Sequence, residues 1–186
     1  MYLLFLLKSY NRVVHTKDNK MVLSGNVFKF GDNISTDHIA PGRLFHLRSN
    51  LPELAKHVLE DADPNFASTM QKGDFVVAGN NFGLGSSREH APQILKIAGV
   101  NAVIAKSFAR IFYRNAINIG LLLLEADTEN INAGDKLEVD LKAGIIKDLT
   151  QNFEVTFTPL PDVMIKLLND GGLVAHLNKH GDFDLV

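Results

Sequence analysis

The sequence of 186 residues contains no cysteine. This absence excludes disulfide bonds, and it removes the thiolates that normally hold an iron–sulfur cluster. Any such cluster would have to lie on another chain. Seven histidines are present, but no two of them match a known metal-binding motif, and we therefore expect no metal site in this chain.

A strong charge of one sign is missing as well. The 19 basic and 21 acidic residues give a formal net charge of −2, which creates no field that would gather nucleic acid or an anionic membrane. The apolar run from Tyr2 to Leu7 is far shorter than the roughly 20 residues that span a bilayer. We therefore expect no nucleic-acid partner and no membrane segment, and we expect a cytoplasmic location.

The length and composition fit a single globular domain. Domains usually contain roughly 100–200 residues, and the hydrophobic fraction of 46% and charged fraction of 22% are ordinary. After its apolar start the chain is polar and patternless up to Lys20, whereas Met21 opens a strand-like stretch. We predict that residues 1–20 are a leader, either disordered or the product of a mis-assigned start, and that residues 21–186 form the domain.

A strand–loop–helix–strand unit occupies the middle of the chain. The apolar run Phe75–Ala78 predicts a buried strand, and a glycine-rich turn from Gly79 to Gly85 follows it. An amphipathic pattern then predicts a helix that ends at Gly99, after which Ala102–Ala105 returns as a second buried strand. A right-handed crossover of this kind makes the two strands parallel neighbours in one sheet.

The flanking segments complete the predicted fold. Periodicity predicts helices at 51–59, at 108–117 and from Pro161 to a stop at Gly171–Gly172, and a further buried strand at 121–124. Apolar and polar residues alternate at 137–141, 145–149 and 153–157, which is typical of half-exposed antiparallel strands. The sequence therefore predicts an α/β domain with a parallel centre and an antiparallel C-terminal portion.

The most informative residues lie in the loop from Asn80 to His90. A glycine loop that leads into a helix N-terminus offers unpaired backbone N–H groups and the positive end of the helix dipole, both of which favour an anion. Ser86 and Ser87 add hydroxyl groups there, and Arg88 adds a guanidinium that can hold a carboxylate through two hydrogen bonds. The alternative is structural: one of the two serines caps the helix, with Glu89 closing a capping box on Ser86.

Four ordered motifs resemble one known family. They are Ser35-Thr36-Asp37-His38-Ile39, Gly-Ser-Ser-Arg-Glu-His at 85–90, Ala-Lys-Ser-Phe-Ala-Arg-Ile-Phe-Tyr-Arg-Asn at 105–115, and Asn-Ile-Gly-Leu at 118–121. Together they are similar to the swivel domain of aconitase and the small subunit of isopropylmalate dehydratase, over roughly residues 22–175. The resemblance implies a swivelling three-layer β/β/α domain. It also implies a hydro-lyase that isomerises a hydroxy di- or tricarboxylic acid by dehydration and rehydration.

The resemblance further implies roles for individual residues. Ser86 matches the family's general base, which removes the proton next to a substrate carboxylate, and Ser87 and Arg88 match substrate-binding positions. Asp37 matches an aspartate that pairs with an active-site histidine of the cluster-bearing part of the enzyme, with loop capping as the alternative. The role of His38 is left open.

Arg48 bears on the choice of substrate. Aconitase has an arginine shortly after its Thr-Asp-His motif that binds a substrate carboxylate. Small subunits similar to homoaconitase carry Leu-Arg-Ser or Leu-Arg-Thr, as Leu47-Arg48-Ser49 does here, whereas the corresponding loop of isopropylmalate dehydratases is apolar. We expect Arg48 to bind substrate, which keeps a homoaconitase-like or aconitase-like subunit, acting on a tricarboxylate, as an alternative to the isopropylmalate dehydratase type.

The resemblance implies that the chain is half of an enzyme. A large subunit would hold a 4Fe-4S cluster, this chain would hold no cofactor, and the two would form a heterodimer or heterotetramer that serves amino-acid biosynthesis, including that of leucine. A non-enzymatic carboxylate-binding module is a second alternative. A serine hydrolase is excluded because Ser86 lacks the Gly-x-Ser-x-Gly elbow.

Overall fold

The computed structural model describes residues 14–15 and 21–181. Val14–His15 forms a short strand, β1, which pairs antiparallel with Val22 and Met21 at the start of β2 (Met21–Lys29). The rest of the predicted leader lies outside the described residues. The predicted domain is described from its first residue to Gly181.

Strands and helices alternate in the first two thirds of the domain. The strands after β2 are β3 (Phe75–Ala78), β4 (Ala102–Ala105), β5 (Leu122–Glu125), β6 (Lys136–Asp140), β7 (Ile145–Asp148) and β8 (Phe153–Thr156). The helices are α1 (Thr36–Ile39), α2 (Leu51–Leu54), α3 (Phe66–Thr69), α4 (His90–Ala98), α5 (Arg110–Ile119), α6 (Asp162–Asp170) and α7 (Leu173–His180), and 3-10 segments cover Gly42–Leu47 and Ala55–His57. None of these helices has the length and apolar character needed to cross a membrane.

All the described strands belong to one sheet, in the order β5-β4-β3-β2-β6-β7-β8, with β1 beside β2. The strands β2, β3, β4 and β5 are parallel neighbours, whereas β6, β7 and β8 continue from β2 in antiparallel pairs. Every residue of β3 and β4 is buried, as expected for parallel strands that are covered on both faces. The predicted parallel centre and antiparallel C-terminal portion are confirmed.

Two hydrophobic cores separate three layers. In the first core, Val76 and Val103 on one face of the parallel strands pack with helix residues that include Ile94. In the second core, the opposite face of the same strands, which includes Val77, packs with Val139 of β6 and other antiparallel-strand residues. Successive strand residues point to opposite faces, so the sheet curls its antiparallel part over the side away from α4 and α5. Two residues of α6, Ile165 and Leu168, also pack into this second core. This arrangement confirms the expected β/β/α layers.

The helix predicted at residues 51–59 is shorter than expected. Its start is as predicted: Asn50 caps α2 by accepting a hydrogen bond from the Glu53 backbone N–H at 3.4 Å. The α-helix ends at Leu54 and becomes a 3-10 turn, and Leu59 has a φ of 57°. The backbone N–H of Leu59 donates to the carbonyl of Ile39 at 3.0 Å, so a long-range contact replaces the helical hydrogen bond there.

The sequence analysis missed the last described helix. Gly171 and Gly172 end α6 as predicted, both at positive φ, but α7 follows them immediately. A Cβ on Gly172 would lie 2.4 Å from the backbone N of Gly120, so only glycine allows the chain to turn back so closely against the end of α5. The helix α7 buries His176 completely.

Candidate active site

The loop between β3 and α4 is held in place by backbone contacts. The N–H of Gly83 donates to the carbonyl of Ile34 at 2.7 Å, and Gly83 has a φ of 79°. A Cβ at this position would lie 2.2 Å from Cγ of Phe112. Glycine is therefore required both for the backbone conformation and for the close approach to α5.

The short helix α1 lies beside this loop and is attached to it. Ser35 forms a parallel bridge with Leu84, and the hydroxyl of Thr36 donates to the carbonyl of Ser86 at 3.1 Å. A capping box closes the start of α1, because Ser35 Oγ accepts from the His38 N–H and His38 Nδ1 accepts from the Ser35 N–H, each at 3.1 Å. His38, whose role the sequence left open, therefore takes part in a local cap.

The two serines of the loop do not cap the helix that follows. The helix α4 begins at His90, and its N-cap residue, Glu89, makes no side-chain capping bond. The Oγ of Ser86 instead accepts a hydrogen bond from Nε of Arg88 at 3.1 Å. Ser86 and Ser87 are both exposed. The structural alternative, a capping box on Ser86, is wrong.

Each guanidinium nitrogen of Arg88 has a partner within this chain. Besides Ser86, it contacts the carbonyl of Ala40 through Nη1 at 2.8 Å and Oδ1 of Asp37 through Nη2 at 2.6 Å. Its side chain is 19% exposed. Arg88 therefore joins the loop to the segment that contains α1, and it brings Ser86 and Asp37 onto one group.

Asp37 lies at the surface of the site and takes no part in the cap of α1. Its side chain is 57% exposed, and the contact with Arg88 uses one of its carboxylate oxygens. A Cβ on Gly42 would lie 2.9 Å from this oxygen and 3.6 Å from Nη2 of Arg88. Gly42 thus leaves room for the ion pair, and the exposed side of Asp37 is available to a partner.

Arg48 lies at the edge of the same site. It follows the 3-10 segment Gly42–Leu47 and is exposed. Its guanidinium carbon lies 4.1 Å from the ring centroid of Phe45, and that ring makes an edge contact with His90, with 6.3 Å between the two centroids. The guanidinium of Arg48 forms no ion pair with any residue in the described part of the chain.

The pKa of His90 is affected by both arginines, Arg88 and Arg48. Burial lowers the pKa of His90, and the positive charges of Arg88 and then Arg48 lower it further. Both guanidinium groups are therefore near enough to repel a proton on this ring. The structure brings Ser86, Ser87, Arg88 and Asp37 together, and it places Arg48 beside them through Phe45 and His90.

Sequence reasoning missed four residues that shape this site. They are Thr36, Gly42, Phe45 and His90. Thr36 and His90 lie inside the quoted motifs, so their position in the sequence could have indicated that they belong to the site. Gly42 follows Pro41, and this pair is typical of an ordinary turn. Phe45 has the pattern of an ordinary apolar residue. Only the fold shows what Gly42 and Phe45 contact.

Residues 38–129 match the family described as the aconitase C-terminal domain. This range includes the loop with Ser86 and Arg88, the 3-10 segment before Arg48, and the helix α5. Asp37 immediately precedes the matched range.

Proteins similar to this chain include small subunits from archaea and bacteria. The 3-isopropylmalate dehydratase small subunit 2 of Archaeoglobus fulgidus is 63% identical over 165 residues, which cover 89% of this chain and all of the relative. The methanogen homoaconitase small subunit of Methanothermobacter thermautotrophicus is 54% identical over 159 residues, which cover 85% of this chain and 92% of the relative. The crystal structure of a 3-isopropylmalate dehydratase from Methanocaldococcus jannaschii is 43% identical, with a TM-score of 0.82, and the match covers 87% of this chain and 96% of that one.

Proposed function

Because the chain belongs to the family of 3-isopropylmalate dehydratase small subunits, we propose that it carries the proton-transfer residues of a two-subunit iron–sulfur hydro-lyase. The enzyme would isomerise a hydroxy di- or tricarboxylic acid by removing water and adding it back. The observation that carries the proposal is the guanidinium of Arg88, which contacts both Ser86 and Asp37.

Ser86 is the general base in this proposal. Ser86 removes the proton from the carbon atom next to a substrate carboxylate. The Oγ of Ser86 must bear a negative charge to accept this proton. The Nε–H of Arg88 donates to this oxygen at 3.1 Å. A hydrogen bond from a charged donor favours the ionised form of the acceptor, so Arg88 both positions Ser86 and favours its alkoxide.

Asp37 occupies the edge of Arg88 that a substrate carboxylate would take. A carboxylate of the substrate would form the same type of ion pair with Nη2 that Asp37 forms at 2.6 Å. Because Asp37 is 57% exposed, it can turn outward to a histidine of the large subunit, as the family resemblance implies. Assembly would then free Arg88 for substrate, and the exposed hydroxyl of Ser87 would add a second donor.

The residues of this chain do not fit an iron–sulfur cluster, because the sequence contains no cysteine. We assign the 4Fe-4S cluster to a large subunit, in a heterodimer or heterotetramer, where it would supply a Lewis-acid iron for the substrate hydroxyl. The steps proposed for this chain are limited to binding and proton transfer. We further propose a cytoplasmic location.

The substrate that we propose first is 3-isopropylmalate, which would place the enzyme in leucine biosynthesis. Several similar small subunits, 50–63% identical to this chain, are named for this substrate. These relatives also favour an enzyme over a non-enzymatic carboxylate-binding module, which would need no large subunit.

A homocitrate-like tricarboxylate is the second candidate, and Arg48 favours it. The guanidinium of Arg48 stacks on Phe45, which leaves its N–H groups free to receive a third carboxylate. One relative, named as a methanogen homoaconitase small subunit, is nearly as similar to the chain as the relatives named for isopropylmalate.

Kinetics of the assembled enzyme on both substrates distinguish the two candidates. If Arg48 pairs with a third carboxylate under a closed loop, an alkyl side arm leaves the guanidinium without a partner, which costs about 2–5 kcal/mol and corresponds to a preference of roughly 30-fold or more in kcat/KM. Arg48→Val should then reduce that preference. A preference for isopropylmalate that Arg48→Val leaves unchanged would establish the first candidate.

Reconstitution tests the proposed function as a whole. The purified chain alone should contain no iron and show no dehydratase activity, and activity should appear when it is mixed with its cluster-loaded large subunit. Dehydration by the chain alone, or no activity from the mixture on any hydroxy di- or tricarboxylate, would contradict the proposal.

A further inference from the structure

Three side chains meet where the last two described helices join. Asp170 is the last residue of α6, and His176 and His180 are four residues apart on α7, so both rings face the same side of that helix. Oδ2 of Asp170 lies 2.6 Å from Nδ1 of His176 and 3.0 Å from Nε2 of His180. One potential ligand atom from each residue lies within 4.8 Å of the other two.

We propose that Asp170, His176 and His180 form a binding site for a divalent transition-metal ion such as zinc. Two imidazoles and one carboxylate are a common protein ligand set for zinc, with water in the fourth position. The site lies outside the residues of the proposed active site. The proposal departs from the expectation from the sequence that this chain has no metal site.

The distances require only a small adjustment. Zinc bonds of about 2.0–2.1 Å in a tetrahedral site place neighbouring ligand atoms roughly 3.3 Å apart. The present separations of 2.6 and 3.0 Å are shorter than this by about 0.7 and about 0.3 Å. His180 is exposed at the end of α7, and its side chain can therefore move outward. The contact between Asp170 and His176 must also widen.

Two of the three ligands are already fixed. The side chain of His176 is completely buried, and that of Asp170 is 7% exposed. The turn between them is clamped, because Nζ of Lys96 donates to the carbonyl of Gly171 at 3.1 Å and Gly172 packs against Gly120. Binding an ion would therefore order the side chain of His180 and widen the contact between Asp170 and His176.

Two features limit the affinity of the site. Nζ of Lys179 lies 2.5 Å from Oδ1 of Asp170, so its positive charge repels a bound cation. Coordination through Nδ1 of His176 also leaves the ring proton on Nε2, which is buried and has no hydrogen-bond partner among the described residues. We therefore expect weaker binding than at structural zinc sites with four protein ligands.

The rival explanation is that the same residues only hold the two helices together. Asp170 accepts from Lys179 and contacts both histidines, and these contacts alone would fasten α7 to α6. The metal site and the purely structural contact predict opposite effects when the charge of Lys179 is removed. Removing its charge weakens a purely ion-paired contact, whereas it strengthens a metal site.

Zinc titration of the full-length chain, followed by calorimetry, tests the proposal without any need for activity. We expect one zinc per chain, at least about 10-fold weaker binding in His180→Ala, since even the loss of an outer-shell partner costs this much, and tighter binding in Lys179→Gln. His46→Ala, which removes another exposed histidine, is the control and should bind as the wild type does. Cobalt(II) should give a visible spectrum that His180→Ala loses.

Three results would overturn the proposal: no zinc binding by the wild type, binding that His180→Ala leaves unchanged, or binding that Lys179→Gln weakens. The conclusion does not depend on His176→Ala, whose buried position makes that variant prone to misfolding. His180 and Lys179 are both exposed, so their replacement tests the metal separately from the fold.

Discussion

Arg88 links the residues of the candidate site, because its guanidinium contacts Ser86, Ala40 and Asp37. The motif at residues 85–90 predicted hydroxyl groups beside a guanidinium, and in the structure Arg88 donates a hydrogen bond to Oγ of Ser86 at 3.1 Å. Its contacts with Ala40 and Asp37 could not be predicted, because Ala40 lies 48 positions away along the chain. They depend on how α1 packs beside the loop, and on the missing side chain of Gly42.

The pKa of His90 gives a test of the site's electrostatics that needs no partner subunit. The charge of Arg48 lowers this pKa, so Arg48→Gln should raise it, and the imidazole should become protonated at a higher pH than in the wild type. The measurement is a pH titration of the His90 imidazole signals by NMR.

A matched variant makes this titration specific. Arg43→Gln removes an exposed arginine that is paired with Glu60 and Asp61, and it should leave the pKa of His90 unchanged. A pKa of His90 that stays the same in Arg48→Gln would show that Arg48 points away from the site, and would remove the structural support for the tricarboxylate candidate.

Among the elements, those with a simple local pattern were predicted well. The strands β3 and β4 and the end of α4 at Gly99 agree with the sequence, because continuous apolar runs and a left-handed glycine are local signals. Prediction was wrong where distant contacts decide the conformation. Leu59 leaves its helix to bond with Ile39, and α7 follows directly after two glycines that normally end a helix.

The helix α7, which was not predicted from the sequence, also carries two residues of the proposed metal site. The four-residue spacing of His176 and His180 is visible in the sequence, but it has no meaning until a helix is assigned there. Asp170 then completes the set from the end of the neighbouring helix. A site of this kind is therefore found from the packing of α6 and α7, and not from a motif.

At the scale of the whole molecule, the proposed function makes this chain one half of an active site. Its candidate base, its guanidinium and its exposed aspartate lie on one surface, whereas the sequence offers no thiolate for a cluster. The three layers hold this surface through β3, α1 and α4. Under the proposed function, a large subunit would approach the side on which Asp37 is exposed.

The central claim is that Ser86 supplies the base to the assembled enzyme. In the complex with the large subunit, Ser86→Ala should lower kcat by at least about 100-fold, the lower end for a positioned proton-transfer group, with a smaller effect on KM. Ser24→Ala, a change on the exposed side of β2, should leave both constants unchanged. A Ser86→Ala complex that turns over at close to the wild-type rate would contradict the claim.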